Sequence, residues 1–147
     1  MSAKSMQDLY EYALSFFGYP YIWGGDGQDR YQNGYDCSGL VQKILGLAGV
    51  DPDGDQTAHS LYEHFLNNGT NTQGLGSLAF FGTKERIIHV GFCLDNKIMI
   101  NASGGGSHCR TAIDAKRLNA SVKIEPIAWR KNLVAVIMPR YLEKGIV

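Results

Sequence analysis

The feature that most constrains this chain is a change of hydrophobic period near residue 75. Before it, apolar residues recur at helical spacing; after it, they come in short β-prone runs. Met6, Leu9, Tyr10, Ala13, Leu14 and Phe17 mark a first helix, opened by a Ser5/Asp8 capping box and stopped at Gly18. Leu40, Val41, Ile44, Leu47 and Ala48 mark a second over 37–48, ended by Gly49. A third runs from about Thr57 to Asn67 and closes at Asn68-Gly69. The β-prone runs are Leu78–Phe81, Ile87–Leu94, Ile98–Ala102, Cys109–Ile113, Val122–Ala128 and Leu133–Met138. Helices first and strands afterwards predict an α+β fold, with N-terminal helices packed on a mostly antiparallel sheet of about five to six strands. No repeat, linker or low-complexity tract divides the 147 residues, so 1–147 is expected to be a single domain. Residues 19–35 form a long loop whose aromatics, Tyr19, Tyr21, Trp23 and Tyr31, argue that it packs.

Charge and cysteine usage narrow the chemistry. Fourteen basic residues balance fourteen acidic ones, and no basic stripe marks a nucleic-acid or anionic-membrane partner. The first eight residues lack the apolar core of a secretory signal, and no apolar run reaches membrane-spanning length. The expectation is a chain made in the cytoplasm, with neither nucleic acid nor membrane as partner. Cys37, Cys93 and Cys109 are an odd number at wide spacing, which fits neither a disulfide framework nor a paired Cys-x-x-Cys zinc site. Chemistry from one of them is what remains.

Cys37 sits where a polar loop meets an apolar helix. Unpaired N–H groups at a helix N-terminus favour an anion, so a thiolate there is expected to form below the free value of about 8.5. The same N–H groups suit an oxyanion. Read from the residues alone, Cys37 is equally a small buried residue or a nucleophile. A thiol nucleophile needs an imidazole base and a third group to fix its tautomer. His59 and His64 read as a solvated face of the third helix, and His108 as a loop residue after a triple glycine. His89 opens the run His-Val-Gly-Phe-Cys-Leu and is expected at a strand end, projecting from a rigid scaffold. Asn101 follows twelve positions later, on the next strand. A hairpin puts the two on one face only if its loop is odd-numbered or bulged around Leu94–Asn96. Read from the residues alone, Asn101 is a polar strand-end residue before it is an orienting group.

Four ordered motifs resemble the NlpC-type cell-wall peptidases, papain-like cysteine enzymes that cleave peptidoglycan stem peptides. They are Gly18-Tyr-Pro-Tyr-Ile-Trp-Gly-Gly25, Asp36-Cys-Ser-Gly-Leu-Val41, Gly76-Ser-Leu-Ala-Phe-Phe81, and His89-Val-Gly91 with Asn101-Ala-Ser103. The resemblance covers roughly residues 5–140 and implies a papain-like fold, with Cys37 as nucleophile, His89 as base and acid, and Asn101 as orienter. Many family members carry His at the third position. The resemblance further implies that Tyr21, Asp36 and Ser38 line the pocket for the residue before the scissile bond. Asp36 reads equally as a helix cap, and Trp23 as a packing residue. Gln56 stands where many wall hydrolases of the family carry an arginine for the acidic peptide, and Ser77 replaces the usual Asp. Cys93 shares strand parity with His89 and is expected to face the helices, and Cys109 to lie on a strand.

The implied reaction is hydrolysis of an amide next to D-Glu through a thioester, with no metal and no organic cofactor. Competing readings are a thiol-dependent amidase or acyltransferase on a non-wall substrate, and a catalytically silent tail or assembly module. A wall enzyme without a leader implies delivery by a phage, an injected effector or another non-Sec route.

Overall fold

The computed structural model describes residues 2–28 and 33–147; Tyr31 lies outside them. α1 spans Met6–Leu14, and Ser5 and Asp8 form the reciprocal capping box, each side chain accepting the other's backbone N–H. Leu9, Ala13 and Phe16 turn inward while Phe17 is exposed. The helix ends at Leu14, so its phase does not carry to Phe17. α2 spans Cys37–Ala48, with Leu40, Val41, Ile44 and Leu45 fully buried. Each such side chain removed from water is worth roughly 1.5–3 kcal/mol. Leu47, expected on that face, is only half-buried. α3 spans Ala58–Leu66 behind a Thr57 cap.

Six strands follow: β1 Gly69–Thr70, β2 Leu78–Thr83, β3 Arg86–Cys93, β4 Ile98–Ser103, β5 Ser121–Pro126 and β6 Leu133–Pro139. They form one sheet in the order β1-β6-β2-β3-β4-β5, antiparallel at every step. This is the papain-like α+β arrangement. The Cys109–Ile113 run is not a strand. Thr111 accepts the Asp114 N–H and opens α4, Ala112–Leu118, so a local capping signal prevails over a short β-prone run. Cys109 lies buried just before that helix.

The sheet has two apolar faces. Val90, Phe92, Ile100, Ala102 and Val122 pack with the helices in the main core. Ala79, Phe81, Cys93 and Met99 face the other way and pack with Ile127. Cys93 therefore points away from the helices, against expectation. Strand parity fixes which residues share a face, not which face meets the helices.

Two local features aim β3. The β3–β4 loop is Asp95–Lys97: Leu94 N–H bonds the Ile98 carbonyl, and Asp95 Oδ1 accepts the N–H groups of Lys97 and Ile98 at 2.7 and 2.9 Å. Three residues is an odd count, as a shared face for His89 and Asn101 requires. The β2–β3 ladder pairs Phe81 with His89 but Gly82 with Ile87, so Ile88 is the extra residue of a bulge. Gly82 permits it: its φ is +135°, and a Cβ there would run into the Arg86 carbonyl. His59 Nδ1 accepts the Ile87 N–H at 3.0 Å beside the bulge. His89 is thus the fourth residue of β3, not its end, and the bulge brings it opposite Phe81.

Candidate active site

Asp36 is the N-cap of α2, its Oδ1 accepting the Gly39 N–H at 2.7 Å and the Ser38 hydroxyl at 3.3 Å. The loop before the helix crosses its first turn. Gly25 accepts the Asp36 N–H at 3.0 Å, and a Cβ on Gly39 would collide with that same Gly25 carbonyl. The Asp-Cys-Ser-Gly order therefore has a packing reason at each end: the acid caps the helix and the glycine admits the loop.

Cys37, at the first position of α2, is half-buried against β3. Cys93 exchanges backbone hydrogen bonds with Ser77 and Gly76 on the β2 side, so by the alternation of an antiparallel ladder Val90 directs its N–H toward β4. The β3–β4 ladder ends at Phe92↔Ile100. Beyond it, the Val90 N–H meets the Cys37 sulfur, as does the N–H of Ser38. The thiol thus lies beside β3 at Val90, the residue after His89.

His89 is buried, and its Nε2 lies 2.7 Å from Asn101 Oδ1. Extending the hairpin register by one residue sets Gly91 opposite Asn101, so His89 and Asn101 are diagonal neighbours on one face. The amide of Asn101 has a defined orientation: Nδ2 donates to the Lys123 carbonyl at 3.3 Å and to Glu125 Oε1 at 3.0 Å. With its oxygen toward Nε2, the neutral imidazole carries its proton on Nε2 and leaves Nδ1 as the basic nitrogen.

Electrostatics set a neutral resting pair. Burial, with Asp36 nearby, pushes the Cys37 thiol up to about 11, against the Val90 and Ser38 N–H groups and Arg130. The expected lowering by the helix N-terminus is therefore overturned: desolvation of the charged form outweighs the donors. Burial and then Arg130 push the His89 imidazole down to about 3, against the Asn101 hydrogen bond. Burial also raises the Asp36 carboxyl, against the Gly39 and Ser38 donors, with Asp55 adding to the rise.

Tyr21 is buried, and burial followed by Cys37 and Asp36 raises its phenol, so the hydroxyl remains a donor beside the thiol. Its carbonyl accepts from Cys109 Sγ at 3.0 Å, which gives Cys109 a supporting role. Ser38 is buried with its hydroxyl on Asp36. Trp23, expected to pack, is half-exposed, and Ile22 takes the buried place. Gln56 is folded onto its own loop, its Nε2 donating to the Asp53 carbonyl at 2.8 Å. Ser77 is buried, donating to the Gly74 carbonyl at 2.8 Å. Among the described residues, no group of three or more His, Cys, Asp or Glu side chains is placed to hold a metal.

Sequence reasoning missed Arg130, whose guanidinium lies over Phe81 at 5.8 Å from the ring centroid, and Glu125. Neither belongs to a motif. Glu125 alternates with Lys123 and Ser121 along β5, but only the β4–β5 register says whose face that is.

Three comparisons bear on this geometry. The model of the NlpC/P60 family matches residues 18–134. The Bifunctional muramidase/DL-endopeptidase CwlT of Bacillus subtilis (strain 168) is 34% identical over 111 residues, 70% of this chain and 32% of that protein. The Probable endopeptidase p60 of Listeria grayi is 29% identical over 105 residues, 71% of this chain and 19% of that protein. This chain thus spans a third or less of the length of these relatives. In fold, it is similar to the crystal structure of an NlpC/P60 family protein from Bacillus cereus. The TM-score is 0.67 at 23% identity, covering 95% of this chain and 41% of that one.

Proposed function

This chain belongs to the NlpC/P60 family, and from that premise we propose that it is a cysteine endopeptidase hydrolysing an amide bond of peptidoglycan stem peptides next to D-Glu. In this reading Cys37 is the nucleophile, His89 the general base and then acid, and Asn101 the orienting group. Tyr21, Asp36 and Ser38 line the pocket for the residue before the scissile bond. The observation that carries the reading is the oriented amide of Asn101. It leaves Nδ1 of His89 unprotonated on the strand whose next N–H meets the Cys37 sulfur.

The chemistry starts from a neutral pair. As the sulfur attacks the amide carbonyl, its proton passes to His89 Nδ1, so the two charges form together. The imidazolium is met by Asn101 Oδ1, and the developing oxyanion by N–H groups at the start of α2 and the Tyr21 hydroxyl. His89 returns the proton to the departing amine as the C–N bond breaks. Water, deprotonated by His89, then cleaves the thioester to a carboxylate and restores the thiol. No step requires a metal or an organic cofactor.

A synthetic stem peptide tests this. Cys37→Ala is expected to lose turnover by several orders of magnitude while keeping its thermal melt. The wild-type product is expected to carry a free carboxylate. An acylated acceptor in its place would make the protein a transferase, and equal turnover by Cys37→Ala would remove the thiol from the mechanism.

A further inference from the structure

We propose that Glu125 is a positioning residue that sets the tautomer of His89 through Asn101. The inference rests on the reading of His89 as the base. Asn101 is fully buried, and a buried amide offers His89 either an oxygen or an NH2 group. An oxygen holds the imidazole proton on Nε2. A flipped amide would donate to Nε2, move the proton to Nδ1 and block the nitrogen that must receive the thiol proton.

The choice between these states is made on the far side of the amide. Both partners of Nδ2 are acceptors only, the Lys123 carbonyl at 3.3 Å and Glu125 Oε1 at 3.0 Å. The carboxylate makes the shorter bond, and a charged acceptor is the stronger one. A flipped amide would set its oxygen against that carboxylate. Glu125 is itself held: the Ser103 hydroxyl donates to the same Oε1 at 3.2 Å, from a buried position on β4. The register supports this reach, since β5 pairs Lys123 with Asn101 and Glu125 with Met99, one diagonal step along the same face. No proton travels beyond His89; Glu125 acts on orientation alone.

The test reads the His89 imidazole by 15N NMR in the full chain, alongside steady-state kinetics on a stem peptide. The wild type is expected to show the Nε2–H form. Glu125→Ala is expected to populate the Nδ1–H form and to lower kcat at unchanged KM. The loss should be roughly 10- to 100-fold, the range for removing outer partners that orient metal-bound imidazoles. Glu125→Gln keeps a carbonyl for Asn101 Nδ2 and is expected to hold both the tautomer and kcat near wild type. If Glu125→Ala does not fold, Glu125→Asp, too short to reach Asn101, replaces it in the comparison with Gln. An unchanged tautomer in the Ala or Asp variant overturns the proposal, as does a change confined to KM or a Gln variant as impaired as Ala. The spectrum needs no substrate. A wild type that cleaved no stem peptide would sink the proposed function, while the tautomer would still decide the role of Glu125.

Discussion

At the scale of single residues, burial governs the site more than charge does. The start of α2 and β3 each offer Cys37 one backbone donor, the Ser38 N–H and the Val90 N–H, yet burial keeps its thiol neutral up to about 11, and the same desolvation keeps His89 neutral down to about 3. The free protein is therefore expected to show no thiolate absorbance at neutral pH. The band should rise only as pH climbs toward 11, and Cys37→Ala identifies the part due to this thiol. A thiolate already present at pH 5 to 7 would mean a stored ion pair and would contradict the neutral resting state. This property was not legible in the sequence. The Asp36-Cys37-Ser38-Gly39 run reports the helix start, which is local, whereas the groups that come close to the thiol from elsewhere in the chain are Val90 of β3 and Tyr21.

At the scale of elements, what could be read and what could not divide by the length of chain between partners. Caps and helical phase are local, so α1, α2 and α3 stood out, and the capping of α4 by Thr111 should have outweighed the apparent strand at 109–113. The partnership of His89 with Asn101 was legible only as a condition, a shared face if the loop between their strands is odd, and the three-residue loop meets it. Glu125 was not, because β5 returns to β4 after the 104–120 excursion, across which no register can be counted. The bulge at Ile88, which brings His89 opposite Phe81, leaves only Gly82 as a trace in the sequence. The junction of loop and helix gives a prediction at this scale. Gly39→Ala places a Cβ against the Gly25 carbonyl and is expected to cost about 1–3 kcal/mol in denaturant unfolding. An unchanged midpoint would show that the loop yields and that the close approach is not needed.

At the scale of the whole molecule, the same buried groups couple folding to pH. The His89 pKa is depressed from 6.5 to about 3 in the fold. Its contribution to stability is therefore present above 6.5 and lost as pH falls toward 3. The Cys37 and Cys93 thiols are raised from 9.0 to about 11, so theirs is present below 9 and lost as pH rises through 11. Stability should be flat between these limits. By about pH 4.5 the His89 term should have removed roughly 2–3 kcal/mol. His89→Gln, which cannot take up a proton, should lack that loss; parallel declines of wild type and variant would contradict it. β3, the start of α2 and Tyr21 meet at one thiol, the group proposed to open stem peptides. The most direct measurement is mass spectrometry of the fragments released from purified peptidoglycan sacculi. Wild-type protein is expected to release fragments that have gained one water at an amide beside D-Glu, and Cys37→Ala to release none. The same fragments from Cys37→Ala, or no amide cleavage by the wild type, would contradict it.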